Sequence, residues 1–92
     1  MPRFLIEVPH EADEVACTRA IQILLSTGSH FLTNADFGCM DGEHKAWVIV
    51  EVESKDEARA ILPPVYRQQS KIIELNKFTQ EAIDELLRRH GG

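Results

Sequence analysis

The chain has 92 residues, 43% of them hydrophobic and 27% charged, enough for one core and little more. Formal net charge is −5 and the ten Lys and Arg residues are scattered. That pattern argues against nucleic acid and against an anionic membrane as partners.

No apolar run approaches the length of a bilayer span, and residues 1–9 are too short and too soon interrupted for a signal peptide. Two cysteines far apart in the chain do not make a disulfide framework. The expected setting is reducing and cytoplasmic.

Phe4, Ile6 and Val8 alternate with Leu5 and Glu7, which predicts a half-buried strand over residues 3–9. From about residue 12 to 27, Ala16, Ala20, Ile23 and Leu24 recur at helical spacing beside Cys17 and Ile21. Glu11, Asp13 and Glu14 lie at the positive end of that helix and Gly28 follows as its stop. Residues 29–39 and 45–52 read as two strands joined by a two-residue Asp41-Gly42 turn, the pair that a type I′ turn prefers because both positions need positive φ. The register then sets Cys39 opposite His44, Phe37 opposite Ala46, Ala35 opposite Val48, Thr33 opposite Val50 and Phe31 opposite Val52 on one face. Asp36 with Trp47, Asn34 with Ile49, Leu32 with Glu51 and His30 with Glu53 lie on the other.

Ser54-Lys55-Asp56-Glu57 is a capping box opening a short helix with Ala58, Ile61 and Leu62 on one side, and Pro63-Pro64 ends it. Residues 71–78 give a last strand, with Ile73 and Leu75 expected toward the helices and Ile72, Glu74 and Asn76 away from them. Thr79 caps a terminal helix, with Phe78 and Ile83 as a hydrophobic staple and Ile83, Leu86 and Leu87 as a buried stripe. The order β-α-β-β-α-β plus one helix is an α+β, ferredoxin-like arrangement over residues 1–92. Its antiparallel sheet has the order 4-1-3-2, with helices on one face.

The opposite face of the sheet is expected to carry Leu5, Leu32, Trp47, Ile49 and Ile72 among Glu7, Asn34, Asp36, Glu51, Glu74 and Asn76. A sheet left to water reads more polar than this, so a cover is expected: the C-terminal helix folding back, or a second copy of the chain. On topology and face pattern the chain resembles the dimeric α+β barrel superfamily. That superfamily includes muconolactone isomerase-like proteins, small cofactor-independent monooxygenases and many bacterial families without an assigned role. The resemblance spans nearly the whole chain and implies a homodimer with an internal pocket; no catalytic signature carries over residue by residue.

Three groups of residues carry candidate chemistry. Strand parity separates His10 from His30, and an intervening strand sets them about 9–10 Å apart, so they are not read as a metal pair; His10 belongs to a strand-to-helix junction and His30 faces Glu53. Cys39 and His44, as cross-strand neighbours, could make an activated thiol or supply two zinc ligands, although no third group or further ligands are evident and a hairpin tip is exposed. Cys17 reads as a small core residue.

The acids Glu7, Glu51 and Glu74, from three adjacent strands, form the most informative group, with Asp36, Asn34 and Trp47 nearby. If covered, they need a proton, a cation or a basic partner, for which Arg67, with Tyr66 in the same loop, and Arg3 are the candidates. The leading functional reading is a homodimeric small-molecule or cation-binding domain with an acidic pocket on the open face. The alternatives are an isomerase, lyase or cofactor-independent oxygenase using one of these carboxylates as base, and a protein–protein interaction module. Neither ligand nor cofactor is named by the sequence.

Overall fold

Alternation in the first segment becomes strand β1 (Arg3–Pro9), whose Phe4, Ile6 and Val8 are buried while the residues between them are half-exposed. A computed structural model of the chain describes residues 1–26 and 29–91; the helix stop expected at Gly28 lies outside them. After β1 come α1 (Glu14–Ser26), a 3-10 helix (His30–Asn34), β2 (Asp36–Phe37), a 3-10 turn (Cys39–Asp41) and β3 (Lys45–Glu51). Then follow α2 (Lys55–Ile61), α3 (Pro64–Arg67), β4 (Lys71–Leu75) and α4 (Gln80–Arg89). The strands form one antiparallel sheet in the order β2-β3-β1-β4. No helix among the described residues is long and apolar enough to cross a membrane.

β1 and β3 are the spine of the sheet. Phe4 pairs with Val50, Ile6 with Val48 and Val8 with Ala46, so all six side chains enter one face. Ala20 and Leu24 of α1, Ala58 of α2, Leu62 and Tyr66 close over them. Ser54 caps the start of α2 as expected, its Oγ accepting from the Glu57 amide (3.1 Å), while Glu57 Oε2 accepts from the amide of Glu53 (2.7 Å), one residue ahead of the expected capping-box partner. Pro64 then opens α3, a short helix with no periodic signal in the sequence.

Three expectations are corrected. The segment read as a long second strand is mostly a 3-10 helix, closed by Leu32 N–H to Ser29 O (3.1 Å), Ala35 N–H to Leu32 O (3.2 Å) and Thr33 Oγ1 to His30 O (2.7 Å). Its turn carries Leu32 into the core, where it is 1% exposed, rather than onto the open face. Of the proposed register only Asp36 with Trp47 and Phe37 with Ala46 remain.

The second correction is the parity of β4. Leu5 pairs with Ile73 and Ile6 with Ile72, so Ile72 is buried while Ile73 is 42% exposed. Glu74, opposite Phe4, therefore leaves the open face, and Leu75 joins it. The third concerns the terminal helix. Thr79 caps it as read, Oγ1 accepting from the Ala82 amide at 3.1 Å, but none of its residues is buried, and Ile83, Leu86, Leu87 and Phe78 are all exposed. The Cα radius of gyration, 16.5 Å, exceeds the roughly 12 Å of a compact chain this long, as expected when a helix projects from the body.

Candidate metal centre

One end of the β1–β3 pair gathers four side chains with metal-binding atoms. His10 follows the last residue of β1, and its amide donates to the His44 carbonyl (3.1 Å) just ahead of β3, adding one rung to the ladder. Asp13 then starts α1: its Oδ1 accepts from the Ala16 amide (2.8 Å) and its carbonyl from the Cys17 amide (2.9 Å). This capping fixes Cys17 one turn into the helix, 6% exposed.

The loop between β2 and β3 supplies the rest. The Gly38 amide donates to Lys45 O (3.1 Å) and its carbonyl accepts from the Glu43 amide (2.9 Å). A Cβ on Gly38 would lie 2.8 Å from both the Glu43 carbonyl oxygen and the Trp47 ring, so this tight approach needs glycine. Gly42 has φ +83° while no other residue of the loop has positive φ. The turn is therefore not the two-residue type I′ turn expected from Asp41-Gly42, and Cys39 is not a ladder neighbour of His44. The longer loop folds Cys39 back over α1 instead.

There Cys39 is bonded to Cys17 through a disulfide: Cys17 is buried in the core as expected, but the two cysteines are paired, and Cys39 is not the exposed thiol of a hairpin tip. His10 Nε2 lies 3.0 Å from Cys39 Sγ and 3.3 Å from Cys17 Sγ. The His44 ring meets His10 edge-on, with centroids 6.1 Å apart and planes at 85°. One ligand atom from each of His10, Cys17, Cys39 and His44 falls within 4.8 Å of every other.

Nδ1 of both imidazoles is buried without a hydrogen-bond partner among the described residues, an arrangement that costs about 1–3 kcal/mol for each such group. Burial, reinforced by His44, holds the His10 imidazole below the usual histidine range, with the Val8 backbone acting weakly in the other direction. A neutral ring keeps a lone pair to donate. A cleft of about 400 Å³, lined by Glu14, Thr18, Ile21 and Met40, opens beside both sulfurs and His44.

Cys39 and His44 thus meet, as the sequence suggested, but through a folded loop rather than across a hairpin. The other two members, His10 and Cys17, were not recognised as partners. The available signal was a His-x6-Cys and a Cys-x4-His spacing in the two connections at one end of an antiparallel pair. His30, expected to face Glu53 across a hairpin, lies instead in the 3-10 helix and stacks on Phe31 with centroids 4.3 Å apart.

The open-face residues assemble only in part. Trp47 Nε1 donates to Glu7 Oε1 (3.1 Å), and Asn34, Asp36, Trp47, Leu5 and Ile49 line a shallow depression of about 290 Å³. Glu51 shares this face but stands four residues beyond Trp47, roughly 13 Å along the strand, opposite Arg3. Glu74 is on the other face. Arg67 donates to the carbonyls of Leu62 (2.8 Å) and Ala60 (3.1 Å), pinning the loop after α2 rather than meeting the acids. The three glutamates therefore do not form one site. Comparison with family models, with curated proteins and with solved structures finds no match to this chain.

Proposed function

We propose that this chain binds a tetrahedral, thiolate-preferring cation of the Zn²⁺ class through His10, Cys17, Cys39 and His44, with both cysteines in the thiolate state. The observation that carries the reading is the convergence of two imidazoles and two sulfurs within 4.8 Å. Two thiolates and two imidazoles are the donor set zinc takes in closed, four-ligand sites. Zn–S near 2.3 Å and Zn–N near 2.0–2.1 Å set tetrahedral donors about 3.3–3.8 Å apart, so the side chains need move little once the sulfurs separate. The unpartnered Nδ1 of His44 fits this reading, since an ion satisfies a ring nitrogen that the protein leaves bare, while His10 faces the sulfurs through Nε2. Four protein donors leave no open position, which favours holding the ion over catalysis with it.

Reduced protein titrated anaerobically with Co²⁺ is expected to show the intense visible bands of a tetrahedral centre and thiolate-to-cobalt charge transfer at one equivalent. Zn²⁺ should bleach both, and His44→Ala should weaken binding by at least about tenfold. A weak octahedral spectrum from the reduced wild-type chain sinks the proposal.

A second reading concerns assembly. The strand order and the open face together support a ferredoxin-like description and a homodimer of the dimeric α+β barrel kind. The favouring observation is apolar exposure on that face, with Ile49 55% and Ile73 42% exposed on either side of Leu5, and a depression lined by Asn34, Asp36 and Trp47 left available for a small molecule. Sedimentation equilibrium should return twice the 10.4 kDa chain mass, and Ile49→Lys should return the monomer. A wild-type chain that remains monomeric at high micromolar concentration excludes this assembly.

A further inference from the structure

The sulfurs of Cys17 and Cys39 are bonded to each other, yet they are also two of the four converging donors. These two states exclude one another. A disulfide holds its sulfurs about 2.05 Å apart, whereas tetrahedral zinc requires roughly 3.7 Å between them, from Zn–S bonds near 2.3 Å; a disulfide sulfur also lacks the negative charge that a thiolate brings to the ion. One pair of electrons decides which state exists.

We propose that pairing of Cys17 with Cys39 is the release step of the metal centre, driven by exchange with a small disulfide that enters through the cleft and reacts first at Cys39. The inference rests on the metal reading above and adds its regulation.

The order of events follows from access. Cys17 is almost fully buried on α1, while Cys39 is half-buried in the loop that carries the fully exposed Met40. Both border the cleft that opens to solvent past Glu14, Thr18 and Ile21. With oxidised glutathione as the small disulfide, the Cys39 thiolate attacks one glutathione sulfur and displaces the other as a thiolate, giving a mixed disulfide at Cys39. The Cys17 thiolate then attacks Cys39 Sγ and displaces the second glutathione thiolate. Two protein thiolates lose one electron each, one S–S bond breaks and one forms, and the two glutathione thiolates take up two protons from solvent. The ion leaves as Zn²⁺ because only two imidazoles remain to hold it. The reverse sequence, two equivalents of glutathione thiol attacking first at Cys39, regenerates the thiolates and restores the site. His10 Nε2, closer to Cys39 Sγ than to Cys17 Sγ, is placed to donate to the Cys39 thiolate in the tautomer that carries its proton there.

The test begins with reduced wild-type protein carrying one equivalent of Zn²⁺. Oxidised glutathione is then added while a chromogenic chelator reports free zinc and acid-quenched samples are mapped by peptide mass. The expected result is one zinc released for every two protein thiols lost, with the first glutathione adduct on the peptide containing Cys39. Cys17→Ser should accumulate that adduct, and Cys39→Ser should form an adduct at Cys17 at least tenfold more slowly. The early adduct in the wild-type chain reads the same order if a variant fails to fold.

Zinc retained after both thiols are lost, or first modification at Cys17, overturns the inference. Failure of the reduced chain to take up zinc is seen before the oxidant is added. That result sinks the metal reading and the release together, and is thereby told apart from a failure of release alone.

Discussion

Saturating Zn²⁺ is expected to raise the melting temperature of the reduced protein by roughly 15–30 °C. Free ligand at a thousand times Kd stabilises the folded state by about 4.1 kcal/mol, and a domain of this length gains about 4–8 °C for each kcal/mol. Replacing one thiolate in Cys39→Ser should weaken binding by on the order of a hundredfold, the upper end of the roughly 10–100-fold loss typical even of outer partners. At the same zinc concentration the stabilisation then falls to about 1.4 kcal/mol. The oxidised wild-type chain, whose sulfurs are consumed in the disulfide, should show no zinc-dependent shift. Differential scanning calorimetry at fixed free zinc separates the three forms. Equal shifts in all of them would mean that the ion binds elsewhere, for example to the exposed acids.

The second large effect is expected from Leu32→Ala. At 1% exposure within the core, its truncation should cost about 2–5 kcal/mol through lost burial and the cavity left behind. Ile49→Ala, on the open face and 55% exposed, should cost the isolated chain no more than about 1 kcal/mol. Urea unfolding of the reduced protein, compared through midpoints at constant m-value, gives both numbers. A small cost at Leu32 would restore the long second strand that puts this side chain on the outer face.

Much of the α+β sheet was legible because its signals are local. Phe4, Ile6 and Val8 alternate against a polar partner at Glu7, Ser54 caps α2 while Glu57 reaches back to the Glu53 amide, and Thr79 opens the last helix; each is a short-range preference that packing did not override. The long second strand failed because His30-Phe31-Leu32-Thr33-Asn34 carries β-forming residues in a segment whose backbone is satisfied within a 3-10 turn while Leu32 is buried. Here tertiary burial outweighed local propensity. The parity of β4 failed for a different reason. Ile72 and Ile73 are interchangeable in any alternation pattern, no tight turn fixes the register, and a slip of one residue exchanges both faces.

The candidate metal centre was half legible. Cys39 and His44 were singled out as a pair, but their companions were hidden because a buried Cys on a helix and a His at a strand end each have an ordinary structural explanation. Only the ladder register of β1 with β3 shows that both connections open at the same end. The acidic group fails with the parity of β4, since the observed register turns Glu74 to the helix side.

The hydrogen bond from the His10 amide to the His44 carbonyl has a consequence for cooperativity. Two of the four donors hang from the final rung of the central strand pair, so their separation is set by backbone geometry before any ion arrives. An ion at this site therefore meets a partly prepaid chelate rather than two free loops that must be ordered on arrival. The coupling also runs in reverse. Fraying of this rung withdraws both imidazoles at once, and occupancy of the site closes the end of the sheet where a strand pair would otherwise open first. If the proposed ion binds, ligation and the integrity of β1 and β3 form one thermodynamic unit, while α4, at the other end of the sequence and with none of its residues buried, stands outside it.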